Sequence, residues 1–164
     1  MKVQLSISMK KSIRKGFGFG LTSGIITTLG IIVGLAYGTN SKIAVLGGIL
    51  VIAIADALSD SLGIHISEES NGIAKKEIWE STISTFVTKF IVALSFVVPV
   101  FLLSLVGAVI VSIIWGLSLI VGFSFYISKK NQIKSYKSVL EHLTIAILVI
   151  IITYYLGTWV STFG

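Results

Sequence analysis

Long apolar stretches separated by short polar punctuation dominate the chain. Five of them approach or exceed the ~20 residues that an α-helix needs to cross a bilayer. They cover residues 17–37 (FGFGLTSGIITTLGIIVGLAY), 43–66, 82–103, 105–127 and 143–160. The third has a polar helical approach from about Glu77 before the run FIVALSFVVPVFLL, Phe90 to Leu103, and only Ser104 and Gly107 separate it from the fourth. A four-span reading therefore competes with the five-span one. Pro99 lacks a backbone N–H and predicts a kink in the third span. Residues 67–81 read as a short loop. The pattern predicts an all-α integral membrane protein: a single transmembrane domain over residues 1–164, without linker, low-complexity tract or second domain.

Composition agrees. Of 164 residues, 54% are hydrophobic and 12% charged, with a mean hydropathy of +0.99. A soluble domain of this size leaves too much surface in water to hide so much hydrocarbon. The absence of cysteine excludes disulfides, thiolate metal sites and cysteine nucleophiles. A net charge of +6 would suggest nucleic acid in a soluble protein, but here the charges follow the spans. Lys2, Lys10, Lys11, Arg14 and Lys15 precede the first span. Lys75 and Lys76 lie between the second and third, and Lys129, Lys130, Lys134 and Lys137 between the fourth and fifth; the other connections hold Lys42 alone. The positive-inside rule puts the N-terminus in the cytoplasm and, after five spans, the C-terminus outside. The charge then serves topology and anionic lipid, the bilayer is the partner, and no nucleic acid is expected. The first apolar stretch is too long for a signal peptide and lacks a small-residue cleavage site, so it reads as a retained helix.

The second span carries the chemistry. In IADALSDSLGIHISEES, Asp56 and Asp60 are four residues apart, on one helix face and about 6 Å apart along the axis. Ser59, Gly63 and Ser67 share that side, while Ile54, Leu58 and Leu62 fall elsewhere. Counted from Lys42, Asp56 lies roughly 21 Å along the helix, past the middle of a ~30 Å hydrocarbon layer. Glu68 and Glu69 follow near the cytoplasmic interface. Intramembrane acids mark ion or proton paths by default. Two on one face repel each other and are expected to retain a shared proton, which a divalent cation would expel on binding. That is the basis of metal/proton exchange. All-oxygen ligands suit manganese, magnesium or calcium and accept ferrous iron. The bland alternative is an interfacial or helix-bridging aspartate.

Other polar residues carry less. His65 points away from the aspartate face and reads as an interfacial histidine. Lys89 precedes the apolar part of the third span and is expected to snorkel to the cytoplasmic surface. Glu77 and Glu80 either extend an acidic mouth or favour a helix N-terminus. Glu141 and His142 open the fifth span. Gly16, Gly18, Gly20, Gly24, Gly30 and Gly34 allow close helix contacts.

Several segments together resemble the vacuolar iron transporter family. LTSGIITTLGIIVGLAYG (Leu21 to Gly38) is similar to its first helix, roughly N-D-G-I-V-T-T followed by a glycine. ADALSDSLGIHISEES resembles its second helix, A-x-x-S-M-x-x-G-E-x-x-S. ALSFVVPVFLL and IIITYYLGTWV resemble its third-helix and closing patterns, in the same order along the chain. The resemblance implies a homodimer of five-helix subunits with a cation pathway between subunits, lined by the first two helices, exporting ferrous iron or manganese from the cytosol in exchange for protons. It departs at Ser23, where the family has aspartate, and at Asp60, where it has methionine. Ile64 replaces the family's glutamate, and the long metal-binding domain between the second and third spans is reduced to SEESNGIAKKEIWESTIS.

The expected function is thus a divalent cation transporter without resident cofactor. Asp56, Asp60, Glu68 and Glu69 are its candidate metal residues, and Ser23, Thr27 and Ser59 line the path. It would sit in the cytoplasmic membrane of a prokaryote or the vacuolar or other acidic organelle membrane of a eukaryote. An enzyme is not expected. Intramembrane aspartyl proteases need aspartates on two helices, and CDP-alcohol phosphotransferases need an upstream D-x-x-D-G and a glycine where Ile52 stands. The alternative is a small membrane scaffold or regulatory subunit whose intramembrane aspartates bind a partner helix.

Overall fold

Apolar runs this long, with a single proline, leave the backbone no better way to satisfy its polar groups in lipid than helix. The structure, a computed structural model, describes residues 10–130 and 135–163. It comprises α1 (Lys11–Thr39), α2 (Lys42–Ser70), α3 (Lys75–Ser95), α4 (Val97–Leu102), α5 (Leu105–Lys130), α6 (Ser135–Val160) and a closing 3-10 turn, Ser161–Phe163. α3 and α4 form one rod, Lys75–Leu102, so five helical segments are long and apolar enough to cross a membrane. No strand forms among the described residues. The break at Leu103–Ser104 separates the third and fourth spans and removes the four-span reading.

The helices outrun the apolar segments. The expected loop over 67–81 shrinks to residues 71–74, between α2 and α3. Gly72 takes φ +68°; its N–H donates to the Glu69 carbonyl (3.0 Å) and the Ile73 N–H to the Glu68 carbonyl (3.2 Å), the Schellman closure that glycine permits. At the opposite end Asn40, at φ 48°, ends α1, and the Ser41 hydroxyl accepts from the Ala44 N–H to start α2. Lys42 donates to the Phe101 carbonyl (2.8 Å) at the end of α4, where the helix dipole favours a cation. The rod is interrupted at one residue, Phe96, a turn with near-helical dihedrals between α3 and α4. Pro99, with no N–H to offer the Ser95 carbonyl, falls in the first turn of α4, where none is needed.

α1 is the central helix, packing on α3 most extensively and also on α6, α2 and α5. Two rows of glycine let it do so. A Cβ at Gly20 would stand 2.5 Å from the Thr85 carbonyl of α3, and one at Gly24 3.3 Å from Lys89 Cγ. Further along, a Cβ at Gly38 would lie 3.5 Å from Gly157 Cα of α6. Small residues replace the hydrophobic drive that lipid cannot supply between helices. Ile25, Leu29, Ile32 and Val33 of α1 fill the core with Ile49, Phe96, Val100 and Ile120. Outward-facing Leu, Ile and Val remain exposed, most of all on α6, as a lipid-facing surface requires.

Candidate functional site

The glycine row on α1 determines which α3 side chains enter the bundle. Ser81, Thr85, Thr88 and Lys89 of α3 are buried, and the Lys89 stem crosses the open face at Gly24. Lys89 is 1% exposed, so the expectation that it snorkels to the surface fails. That expectation started the third span at residue 82, which puts Lys89 near an end. In the rod Lys75–Leu102 it sits at the centre, and its stem turns into the bundle towards α2.

Its ammonium meets both aspartates of α2. Lys89 Nζ lies 2.5 Å from Asp60 Oδ2 and 2.6 Å from Asp56 Oδ2, and donates to Ser23 Oγ at 3.0 Å. Ser23 Oγ in turn donates to Asp60 Oδ2 at 2.6 Å. Ser23, Asp56, Asp60 and Lys89 all fall within about one turn of the midpoints of their helical segments. A cluster of two carboxylates, one ammonium and one hydroxyl therefore occupies the middle of the bundle. With all three charged groups ionised its net charge is −1, and the lysine relieves much of the repulsion that a shared proton was expected to relieve. The contact to Asp56 is electrostatic only: Asp56 Oδ2 is buried and accepts no aligned hydrogen bond.

The remaining candidates are distributed. Thr27 donates to the Ser23 carbonyl (2.9 Å) along its own helix and does not touch the cluster. Ser59 is exposed on the outer face of α2, with Gly63 and Ser67. Glu68 is buried and paired with Lys15, about two turns along α2 from Asp60; Glu69 is exposed. Glu68 and Glu77 line a cavity of ≈ 210 Å³ with Lys11, Ser12 and Lys15. Glu80 is held by Lys10 (2.7 Å) and Ser12 (2.6 Å), tying α3 to the start of α1. His65 Nδ1 lies 3.1 Å from Thr82 Oγ1 and its ring meets Trp79 edge to face, an interhelical packing role. His142 Nδ1 lies 2.7 Å from Ser124 Oγ.

The proposed metal residues thus split into a mid-bundle pair, a buried ion pair at the basic end and an exposed glutamate. Among the described residues no three His, Asp or Glu side chains come close enough to hold a metal ion. Lys89 is the residue that sequence reasoning misplaced. Its signal was the polar row Ser81, Thr85, Lys89 at four-residue spacing, matching the row Gly16, Gly20, Gly24 on the first helix.

No known protein-family model matches this chain, and no curated protein matches it.

Proposed function

We propose that this protein is a secondary transporter that moves a divalent cation, ferrous iron or manganese, out of the cytosol in exchange for protons. The observation that carries the reading is the ammonium of Lys89 held between Asp56 and Asp60 in the middle of membrane-length helices. Ionisable groups there are costly and mark ion or proton paths. A divalent cation engaging both carboxylates competes directly with Lys89. If the lysine yields its proton as the cation arrives, the site passes from −1 to neutral: two carboxylates, one divalent cation, one neutral amine. Exchange of cation for proton is then inherent in the cluster.

Two carboxylates are too few for an oxygen-ligated divalent ion, which takes six or more ligands. Water, Ser23 and a second copy of the chain would complete the set. The outer face of α2 supports a homodimer. Ala55, Ser59, Gly63 and Ser67 are exposed there, with open space around Gly63. The side chains of Asp56 and Asp60, 30% and 21% exposed, lie at the edge of this face. The basic connections orient the N-terminus to the cytoplasm, so Glu68 and Glu77 would stand at the cytoplasmic mouth. The resemblance to vacuolar iron transporters gives the ion classes to try first.

The test is flux in proteoliposomes, with ferrous iron and manganese run separately, an imposed pH gradient, and Asp60→Asn beside wild type. Gradient-dependent movement of either metal, lost in the variant, supports the reading. Wild type that is folded yet moves neither metal overturns it for these ions, and the cluster is then a structural pin or a contact for a partner helix.

A further inference from the structure

At the basic end of the bundle, α1, α5 and α6 enclose a second cavity, of ≈ 420 Å³, separate from the aspartate cluster. Lys11, Arg14 and Lys15 from the first turns of α1 bring charge to it, while Phe19, Phe123 and Ile127 supply an apolar wall. Lys10 and Lys15 are matched by Glu80 and Glu68, but Lys11 and Arg14 have no carboxylate partner among the described residues. Three-residue spacing puts these two cations on one face of α1. The apolar wall is built against the helix: a Cβ at Gly18 would stand 3.2 Å from Phe123 Cζ, and Phe123 meets Phe17 edge to face at 5.8 Å. His142 also lines the cavity, with Nδ1 engaged by Ser124.

Unmatched cations over an aromatic wall, at the end of membrane-length helices, fit a ligand that is anionic at one end and hydrocarbon at the other. We infer that this cavity binds an anionic glycerophospholipid, its phosphate on Lys11 and Arg14 and its proximal acyl chain against Phe19 and Phe123. The arginine fork suits phosphate oxygens, and basic pockets between membrane helices take such headgroups. A soluble phosphate ester shares the phosphate chemistry but has no use for the apolar wall. The inference stands independently of the transport reading.

Native mass spectrometry of the full-length protein in neutral detergent tests it, with dioleoylphosphatidylglycerol, dioleoylphosphatidylcholine and, as soluble competitor, glycerol 3-phosphate. Wild type should hold phosphatidylglycerol at least about tenfold more tightly than phosphatidylcholine. The double variant Lys11→Gln/Arg14→Gln should lose that preference. Lys129→Gln/Lys137→Gln, which removes as many charges from exposed positions outside the cavity lining, should keep it. Glycerol 3-phosphate should not displace the lipid. Equal loss in both double variants would reduce the site to a diffuse basic surface and overturn the inference. So would absence of a headgroup preference, or displacement by glycerol 3-phosphate as effective as by phosphatidylglycerol itself.

Discussion

Lys89 Nζ and Asp60 Oδ2 lie 2.5 Å apart at the middle of the bundle, joining α3 to α2. The lysine is almost wholly buried and the same ammonium also reaches Asp56. Removing one member leaves charge in a medium that solvates it poorly.

Lys89→Met should therefore destabilise the fold by about 3–5 kcal/mol, the usual result of breaking one side of a buried ion pair. Lys89→Met/Asp60→Asn should recover part of that loss, because it removes a now uncompensated carboxylate. Unfolding in detergent, read as a double-mutant cycle, should give a coupling of at least about 1 kcal/mol. Additive losses would mean that the two residues do not act as a pair.

Ser23 both accepts from Lys89 and donates to Asp60. Ser23→Ala should cost about 1.5–3 kcal/mol, as hydrogen bonds to charged groups do. Thr27→Val, which removes only a bond to the Ser23 carbonyl of the same helix, should cost less than about 1 kcal/mol. Reversal of that order in thermal unfolding would contradict the role given to Ser23.

Gly20 is where α1 and α3 come closest to the lysine backbone. A Cβ there would stand 2.5 Å from the Thr85 carbonyl and 3.2 Å from Lys89 N. Gly20→Ala should force the helices apart and cost about 1–3 kcal/mol of stability. Gly24→Ala, whose Cβ would stand 3.3 Å from Lys89 Cγ and from Val92 Cγ1 and no closer to any other atom of a neighbouring helix, should be milder.

On the outer face of α2, Gly63 has nothing within 4 Å of an added Cβ. Gly63→Leu should leave the subunit folded while weakening self-association, as measured by cross-linking in vesicles. Unchanged association would move the proposed dimer contact to another face.

The two glutamates at the end of α2 should separate. Glu68 is buried against Lys15, which is itself 53% exposed and therefore screened, so Glu68→Gln should cost about 1 kcal/mol. Glu69→Gln should leave stability unchanged. On the proposed transport reading, with these acids gathering cations at the mouth, both variants should raise the apparent KM for metal transport and leave maximal flux near wild type.

The sequence by itself determined the all-helical class, offered five membrane-length segments against a competing count of four, and set Asp56 and Asp60 one helical turn apart inside the second of them. Hydrophobic length and four-residue spacing are local properties, set by the bilayer and the helix repeat alone. Gly16, Gly20 and Gly24 likewise announced a close helix contact before any partner was known. What the pattern could not say is which helix fills that contact. Only the packing of α1 on α3 drew Lys89 inward, because the length of a helix beyond its apolar core depends on its caps and neighbours rather than on hydropathy. The tertiary structure also turned Ser59 outward, paired Glu68 with Lys15 and joined Ser23 to Asp60 across 37 positions of sequence. Charge compensation is a property of groups that meet in space, and a carboxylate pair read along one helix does not disclose the ammonium that another helix brings to it.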